Sequence, residues 1–258
     1  VADPWLMGRI AATPALSDLY ASGARPVSAL AAITLPFAAP AILRRELQQL
    51  LAGALHELAS ADCLLAGGHS MQGPELNVGF VVNGVALAGD GRLLGKRGLA
   101  VGDRLVLAKP LGTGVLFAAH MQLAADARDI AAAIDSMLVQ NRLAAELALA
   151  HGASACTDVS GFGLLGHLLE MLGENGAARL ELAQLPLLEG ALEQLRRGVR
   201  SSMHPANVAA GARLALDAPV DENLLQIVFD PQTSGGLLIG VAADRVPGLL
   251  DALRGGGY

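Results

Sequence analysis

The sequence predicts a two-domain protein in which mixed β-sheets are backed by α-helices. Its 258 residues are enough for about two domains of ordinary size. The chain is 53% hydrophobic but only 3% aromatic, which suits packed helices and buried strands built from Ala, Leu and Val. Helix-like and strand-like stretches alternate along it. A turn-rich, charged stretch near residues 90 to 100 predicts domains at residues 1–92 and 100–258.

The first part has the pattern helix, strand, helix, strand, strand. The stretch GRIAATPALSDLYASG is helical with Gly23 as its C-cap, although Pro14 should kink or restart the helix. PVSALAAITLP follows as a strand. The second helix has an apolar face formed by Leu43, Leu47, Leu50, Leu51, Ala54 and Leu58. The runs CLLAGG and LNVGFVVNGVALAG are predicted to be buried strands.

The second part alternates more regularly. RLVLAKPLG predicts a strand and a turn, and two helices cover roughly residues 113 to 150. SACTDV is a strand, a helix starts at Leu164, and ARLELAQL is strand-like. Helical stretches follow around residues 188–198 and 204–216, then the strand GGLLIGVA and a closing helix in ADRVPGLLDALRGG.

Composition and charge argue against several classes of partner. The net charge is −6, and Lys and Arg are not clustered, so general nucleic-acid affinity is not expected. The sequence has no apolar run of 18 or more residues that is free of charged residues, Gly and Pro, so no membrane-spanning helix is expected. Cys63 and Cys156 form no disulfide framework and lack metal-site spacing. They are predicted to be core residues of a cytoplasmic protein.

Asp158 is the first candidate functional residue. It ends a short apolar strand, and three glycines follow within a few residues, before a strongly apolar helix. A turn of this kind holds anionic ligands in α/β proteins, and a divalent cation such as Mg²⁺ would let a carboxylate and a phosphate share it. The alternative is that Asp158 is only the N-cap of the helix.

Asp18 is the second candidate. At helical spacing it shares one stripe with Ala11, Ala15 and Ser22, so that a ligand or cation could approach closely. The alternative is a solvated aspartate on a surface of small residues.

Three glycine-rich loops are further candidates. In LLAGGHS, glycines could let backbone pass close to a ligand, with His69 and Ser70 offering polar contacts. DPQTSGGLL and KPLGTG could each be nests of N–H donors for phosphate or simply tight loops, and KPLGTG lacks the Walker order. His167, set among leucines, is more typical of a core histidine.

Together and in this order, these motifs closely resemble selenide, water dikinase, also called selenophosphate synthetase. The segments are GRIAATPALSDLYASGARP, LAGGHS, KPLGTGVL, TDVSGFGLLGHL and DPQTSGGLL, which span essentially the whole chain. This family belongs to the superfamily of aminoimidazole ribonucleotide (AIR) synthetase. The resemblance implies a two-domain α+β fold, with N-terminal sheets pairing into a shared barrel on dimerisation and a C-terminal α/β sandwich-like domain.

The resemblance also implies a reaction and the residues that serve it. ATP, selenide and water would give selenophosphate, phosphate and AMP. Asp18 would bind Mg²⁺ and contact ATP, and Asp158 would be another Mg²⁺ ligand. Gly68, His69 and Ser70 match a segment that contacts nucleotide across the homodimer. The family nucleophile, Cys or selenocysteine with a nearby Lys, would lie upstream of Val1.

Two departures from the family qualify this interpretation. The chain starts just before the GRIAA helix and looks clipped after its last helix, so it is expected to be a fragment that makes no selenophosphate alone. Pro14 stands where the family usually has a polar residue. The rival hypotheses are a sister ATP-dependent kinase or synthetase of the superfamily, and a non-catalytic nucleotide-binding or dimerisation module.

Overall fold

A computed structural model describes residues 3–258, so the first two residues of the predicted 1–92 domain lie outside the described residues. Two compact units are present. The first contains the described residues up to Leu93 together with Gln140–Arg142, and the second contains Leu94–Val139 and Leu143–Tyr258. A three-residue piece from the middle of the chain therefore belongs to the first unit.

The first unit has the predicted order of elements. These are α1 (Pro4–Ala21), β1 (Ala24–Pro36), α2 (Pro40–Ser60), β2 (Leu64–Gly73) and β3 (Asn77–Ala86). The strands form one sheet in the order β2-β1-β3, in which β1 is parallel to β2 and antiparallel to β3.

Helix α1 is defined by signals at both ends. Asp3 is its N-cap and accepts a hydrogen bond from the Trp5 N–H at 2.8 Å. The chain leaves the helix through Ser22, and Gly23 adopts a φ of 66°, as its predicted capping role requires. The helix is not restarted at Pro14 but continues through it.

Helices α1 and α2 cross with their backbones in contact. A Cβ atom on Gly8 would lie 1.9 Å from the Leu50 carbonyl oxygen, and one on Gly53 would lie 1.9 Å from that of Trp5. Only glycine allows so close an approach. The predicted apolar face of α2 is confirmed, since Leu50 is buried in the core of this unit.

The prediction that β2 and β3 are buried strands is wrong. Most of β2 is exposed, and residues of β3 are at most half-buried. Buried and exposed residues alternate along β1, which shows that only one face of the sheet is covered. The other face exposes apolar side chains, among them Leu64 (69% exposed) and Val81 (62%).

The second unit is built on a sheet of β4 (Arg104–Leu107), β5 (Ala155–Asp158) and β6 (Leu237–Val241). The order is β4-β6-β5, and β6 is antiparallel to both neighbours. The helices are α3 (Thr113–Met121), α4 (Ala127–Leu138), α5 (Arg142–Ala150), α6 (Gly163–Leu172), α7 (Ala191–Arg196), α8 (His204–Asn207), α9 (Glu222–Leu225) and α10 (Val246–Gly255). Short 3₁₀ turns follow or precede several of them, at Leu182–Gln184, Val208–Arg213, Gln226–Phe229 and Ala243–Arg245.

Two predictions for this unit need correction. Residues 113 to 150 hold three helices rather than two, because the chain turns between α3 and α4. The strand expected in ARLELAQL is absent and a 3₁₀ turn lies there. Its alternating leucines, Leu180 and Leu182, pack their side chains on the core without a strand partner for the backbone. Among the described residues, no helix combines the length and apolar character needed to cross a bilayer.

Candidate functional site

Three glycine-rich segments of the second unit meet at one edge of its sheet. Because β6 is antiparallel to β4 and β5, the ends of those two strands and the start of β6 lie at the same edge. Asp158 pairs with Leu237 in the β5–β6 register. Just beyond, the Val159 N–H donates to the Gly236 carbonyl at 2.9 Å. The KPLGTG, TDVSGFG and DPQTSGG segments are therefore neighbours.

Asp158 ends β5 as predicted, and only 9% of its surface is exposed. Helix α6 starts at Gly163, and its N-cap is Phe162. The alternative interpretation of Asp158 as the N-cap residue is therefore wrong. A nearly buried carboxylate at a strand end is costly unless a cation or hydrogen-bond donors offset its charge.

Lys109, directly after β4, is a second charged group at this edge that the sequence did not single out. Only 4% of its surface is exposed. Its Nζ donates to the carbonyls of Ser136 (3.2 Å), Val139 (2.5 Å) and Ser234 (2.9 Å). Burial lowers the pKa of Lys109 to about 7, and the negative charge of Asp158 opposes this shift. The available signal was a lysine between a buried strand and a proline.

The start of α3 is occupied by a side chain of the DPQTSGG loop. Gln232 Oε1 accepts hydrogen bonds from the N–H groups of Gly112 (3.0 Å) and Thr113 (3.2 Å). Gln232 Nε2 donates to Asp230 Oδ2 at 3.0 Å. These donors are thus already used within the protein, which favours the tight-loop interpretation of both loops over a phosphate nest.

Asp230 is fully buried behind this network. Burial raises the pKa of its carboxyl from 3.8 to about 7, although hydrogen bonds from Val115, Gln232 and Gly114 oppose the rise. The carboxyl therefore titrates at a much higher pH in the folded chain than in the unfolded chain.

We expect this shift to make the free energy of unfolding fall as the pH rises from about 4 to about 7, because the folded state holds the extra proton in that window. Urea denaturation at several pH values would measure the slope. Asp230→Asn should reduce it by up to about 1.4 kcal/mol per pH unit. The matched control is the same change at exposed Asp135, and identical slopes in both variants would contradict the prediction.

In the first unit, Asp18 is exposed on α1, and Ala11, Ala15 and Ser22 of the predicted stripe are partly exposed. Its backbone carbonyl accepts from the Ser22 N–H (3.2 Å) and Ser22 Oγ (3.0 Å), which fixes the last turn of the helix. The carboxylate thus projects from an ordered helix end.

Gly68, His69 and Ser70 lie on β2 and are exposed, opposite Ala31 and its two successors on β1. The β1–β2 pairing shifts register just before them, between Ala29 and Leu30. Gly68 has a φ of 155°, and a Cβ atom there would lie 2.2 Å from the Ala31 carbonyl oxygen. The backbone here is shaped in a way that only glycine tolerates.

The carboxylates of Asp18 and Asp158 are suitable ligands for Mg²⁺ that binds together with a nucleotide. Within residues 3–258, no group of three or more His, Cys, Asp or Glu could hold a metal by itself. Mg²⁺, however, commonly binds through one or two carboxylates, with phosphate oxygens and water completing its coordination. The recessed carboxylate of Asp158 and the exposed carboxylate of Asp18 are suitable hard oxygen donors.

The two cysteines are poorly suited to act as nucleophiles. Both are free and buried, as predicted for core residues. Burial raises the pKa of each thiol, and for Cys156 the charge of Asp158 raises it further. A thiol that remains protonated is a weak nucleophile. His167 is also buried, as expected, with its Nε2 3.1 Å from Ser160 Oγ.

A buried polar network that the sequence did not reveal supports α1. Arg9 Nε lies 2.6 Å from Glu57 Oε1, and only 3% of Glu57 is exposed. Gln140 Nε2 donates to Glu57 Oε2 at 2.9 Å, and Tyr20 Oη donates to Gln140 Oε1 at 3.3 Å. The partners are far apart in the chain, so local patterns carry no signal for them.

A cavity of about 730 Å³ lies elsewhere in the second unit. Its lining is largely apolar, with Leu168, Leu172 and Leu225 among the contributing residues, and it includes no residue of the three glycine-rich segments. The cavity is therefore separate from the edge of the sheet where the three glycine-rich segments meet.

Both parts of the chain match family models of AIR synthase related proteins. The N-terminal domain model covers residues 1–88, and the C-terminal domain model covers residues 100–258. Solved structures agree: thiamine-monophosphate kinase from Stenotrophomonas maltophilia K279a has a TM-score of 0.71 and 22% identity, covering 98% of this chain and 73% of that one. Hydrogenase maturation protein HypE in complex with ATP has a TM-score of 0.71 and 18% identity, covering 96% and 66%. The predicted α+β fold of this class is confirmed.

Curated relatives narrow the class. Selenide, water dikinase of Paraburkholderia xenovorans (strain LB400) is 39% identical over 260 residues, covering 100% of this chain and 72% of that protein. The enzyme of the same name from Shewanella sp. (strain W3-18-1) is 40% identical over 246 residues, covering 94% and 68%. The chain belongs to the selenide, water dikinase family, which confirms the resemblance of the motifs.

Proposed function

We propose that the protein makes selenophosphate from selenide, ATP and water, releasing AMP and phosphate. The observation that carries this proposal is identity of 39–40% to selenide, water dikinases over 94–100% of the chain. The near-burial of Asp158 at the end of β5 supports it, because a buried carboxylate is stabilised by a bound cation.

Asp18 and Asp158 are the proposed Mg²⁺ ligands, and Asp18 also contacts ATP. Mg²⁺ would supply charge neutralisation on the phosphate oxygens, the main requirement in phosphoryl transfer. The near-burial of Asp158 keeps competing water away from its carboxylate. Lys109 connects the end of α4 to the DPQTSGG loop through hydrogen bonds to three carbonyls.

Gly68, His69 and Ser70 are proposed to contact the nucleotide from β2, where all three are exposed. We further propose a homodimer in which the first-unit sheets pair into a shared barrel near the ATP. The uncovered sheet face supports this, since Leu30, Leu64 and Val81 are at least 45% exposed and burying them would be favourable.

The nucleophile is not assigned to a residue of this chain, because both cysteine thiols are buried and burial raises the pKa of each. Its predicted place upstream of Val1, and the expected inactivity of the chain alone, stay predictions. Free thiols are typical of a reducing compartment, so we infer a cytoplasmic location.

The test is phosphorus NMR on the protein expressed from its natural start codon, with Mg²⁺ and ATP, with and without selenide, under anaerobic reducing conditions. We expect AMP, phosphate and a selenide-dependent phosphorus signal. ADP formed regardless of selenide would instead indicate a sister kinase. Binding of Mg-ATP without any turnover would leave only a nucleotide-binding module.

A further inference from the structure

We propose that Asn141 is a positioning residue for the metal-binding carboxylate of Asp18. Asn141 bonds to the buried side of the helix turn that carries Asp18 on its exposed side. It therefore fixes the position of the Asp18 carboxylate. The inference rests on the proposed function, in which Asp18 binds the Mg²⁺ that accompanies the nucleotide.

The contact that carries this inference is buried. Asn141 and Ser17 are each 2% exposed, and Asn141 Nδ2 donates to Ser17 Oγ at 2.8 Å. Successive residues of an α-helix point about 100° apart, so Ser17 faces the interior while its neighbour Asp18 faces solvent. A rotation or shift of the helix at Ser17 would therefore displace the Asp18 carboxylate as well.

Helix α1 needs support at this place because of Pro14. Proline has no backbone N–H, so α1 lacks the hydrogen bond to the Ile10 carbonyl, four residues earlier. Thr13 Oγ1 also donates to the Arg9 carbonyl at 3.0 Å, a contact that tends to bend helices. Side-chain contacts thus have a larger share in fixing the turn that follows.

Gln140 provides a second contact to the same helix. Tyr20 Oη donates to Gln140 Oε1 at 3.3 Å, and Ser17 and Tyr20 are three residues apart, on one face of α1. Gln140 Nε2 in turn donates to the Glu57 carbonyl (3.0 Å) and Ser60 Oγ (2.7 Å) of α2. Asn141 and Gln140 thus bond to α1 before and after Asp18, and Gln140 also connects α1 to α2.

Arg142 offers a matched control from the same segment. Its guanidinium contacts the Ser60 carbonyl (3.5 Å) and Asp62 (3.4 Å) at the surface. Arg142→Ala therefore perturbs the segment without removing the bond to Ser17.

The test compares binding of a non-hydrolysable methylene analogue of ATP with saturating Mg²⁺ and with EDTA, by isothermal titration calorimetry on the full protein. The dissociation constant with EDTA divided by the dissociation constant with Mg²⁺ gives a ratio that measures the metal-dependent part of binding. Asn141→Ala and Ser17→Ala should each lower this ratio by about 10-fold, the effect of roughly one hydrogen bond, with EDTA affinity nearly unchanged. The double variant should lose no more than Asn141→Ala alone, because Asn141→Ala already removes the bond to Ser17.

Each outcome decides the inference. An unchanged ratio in Asn141→Ala and Ser17→Ala, with the ratio lost in Asp18→Asn, would overturn it while leaving the proposed function in place. Equal weakening with Mg²⁺ and with EDTA, or an equal effect of Arg142→Ala, would show a merely structural role and overturn it too. A ratio that survives Asp18→Asn would instead overturn the metal role of Asp18, and this inference with it. If Asn141→Ala does not fold, Ser17→Ala tests the same bond.

Discussion

Replacing Asp158 with asparagine should lower selenide-dependent AMP formation by at least about 10³-fold, because a metal contact in phosphoryl transfer is worth several kcal/mol. Asparagine keeps the size of the side chain but loses the charge that would hold Mg²⁺ against phosphate. Asp158 ends β5, all four residues of which pair with β6, so its backbone hydrogen bonds do not depend on the carboxylate and the variant should fold. Initial rates by phosphorus NMR, with thermal denaturation in parallel, would measure both effects.

The control for this change is Asp135→Asn on the exposed side of α4, which removes the same charge from the second unit. It should leave the rate within about twofold, as surface substitutions usually do. An Asp158→Asn protein that retains the rate of the Asp135→Asn control would refute the metal role of Asp158.

Gly68→Ala should have the largest effect on stability among simple changes in the first sheet. The new Cβ atom would lie 2.2 Å from the Ala31 carbonyl oxygen, and the φ of 155° is strained for any residue with a side chain. The two strands must separate locally, so we expect a loss of about 3 kcal/mol or more in the free energy of unfolding. Urea denaturation monitored by circular dichroism would measure it.

Gly79→Ala is the matched control, because Gly79 lies on β3 of the same sheet and a Cβ atom there meets nothing within 4 Å. That change should be close to neutral, since alanine mainly restricts the unfolded chain. Similar losses in the two variants would mean that contact with Ala31 does not explain the requirement for glycine at position 68.

Local patterns predicted most elements of the fold. The apolar face of α2, the C-terminal signal of α1 at Gly23 and the position of Asp158 at the end of β5 all follow from a few consecutive residues. The errors arise where burial depends on what covers an element. The strands β2 and β3 are as apolar as buried strands, but the helices cover only one face of their sheet.

Only part of the candidate site was predicted, because local sequence patterns do not show contacts between residues that are distant in the chain. The carboxylates stood out because charge beside glycine or small residues is unusual. Lys109 and Asn141 were not predicted, because their hydrogen-bond partners are distant in the sequence. Lys109 bonds to Ser234, and Asn141 bonds to Ser17. The position of Lys109 between a buried strand and a proline was a local signal, but it does not reveal the three carbonyl acceptors.

The assignment of Gln140–Arg142 to the first unit makes that unit discontinuous in sequence. During synthesis, the residues up to Leu93 emerge before the side chains that bond to Ser17, Tyr20 and Glu57. The N-terminal unit can therefore complete its packing only after the ribosome has also made Leu94–Val139, a little over a quarter of the second unit. Cutting the gene between the units would yield an N-terminal fragment with unsatisfied buried polar groups, which are costly to leave unpaired.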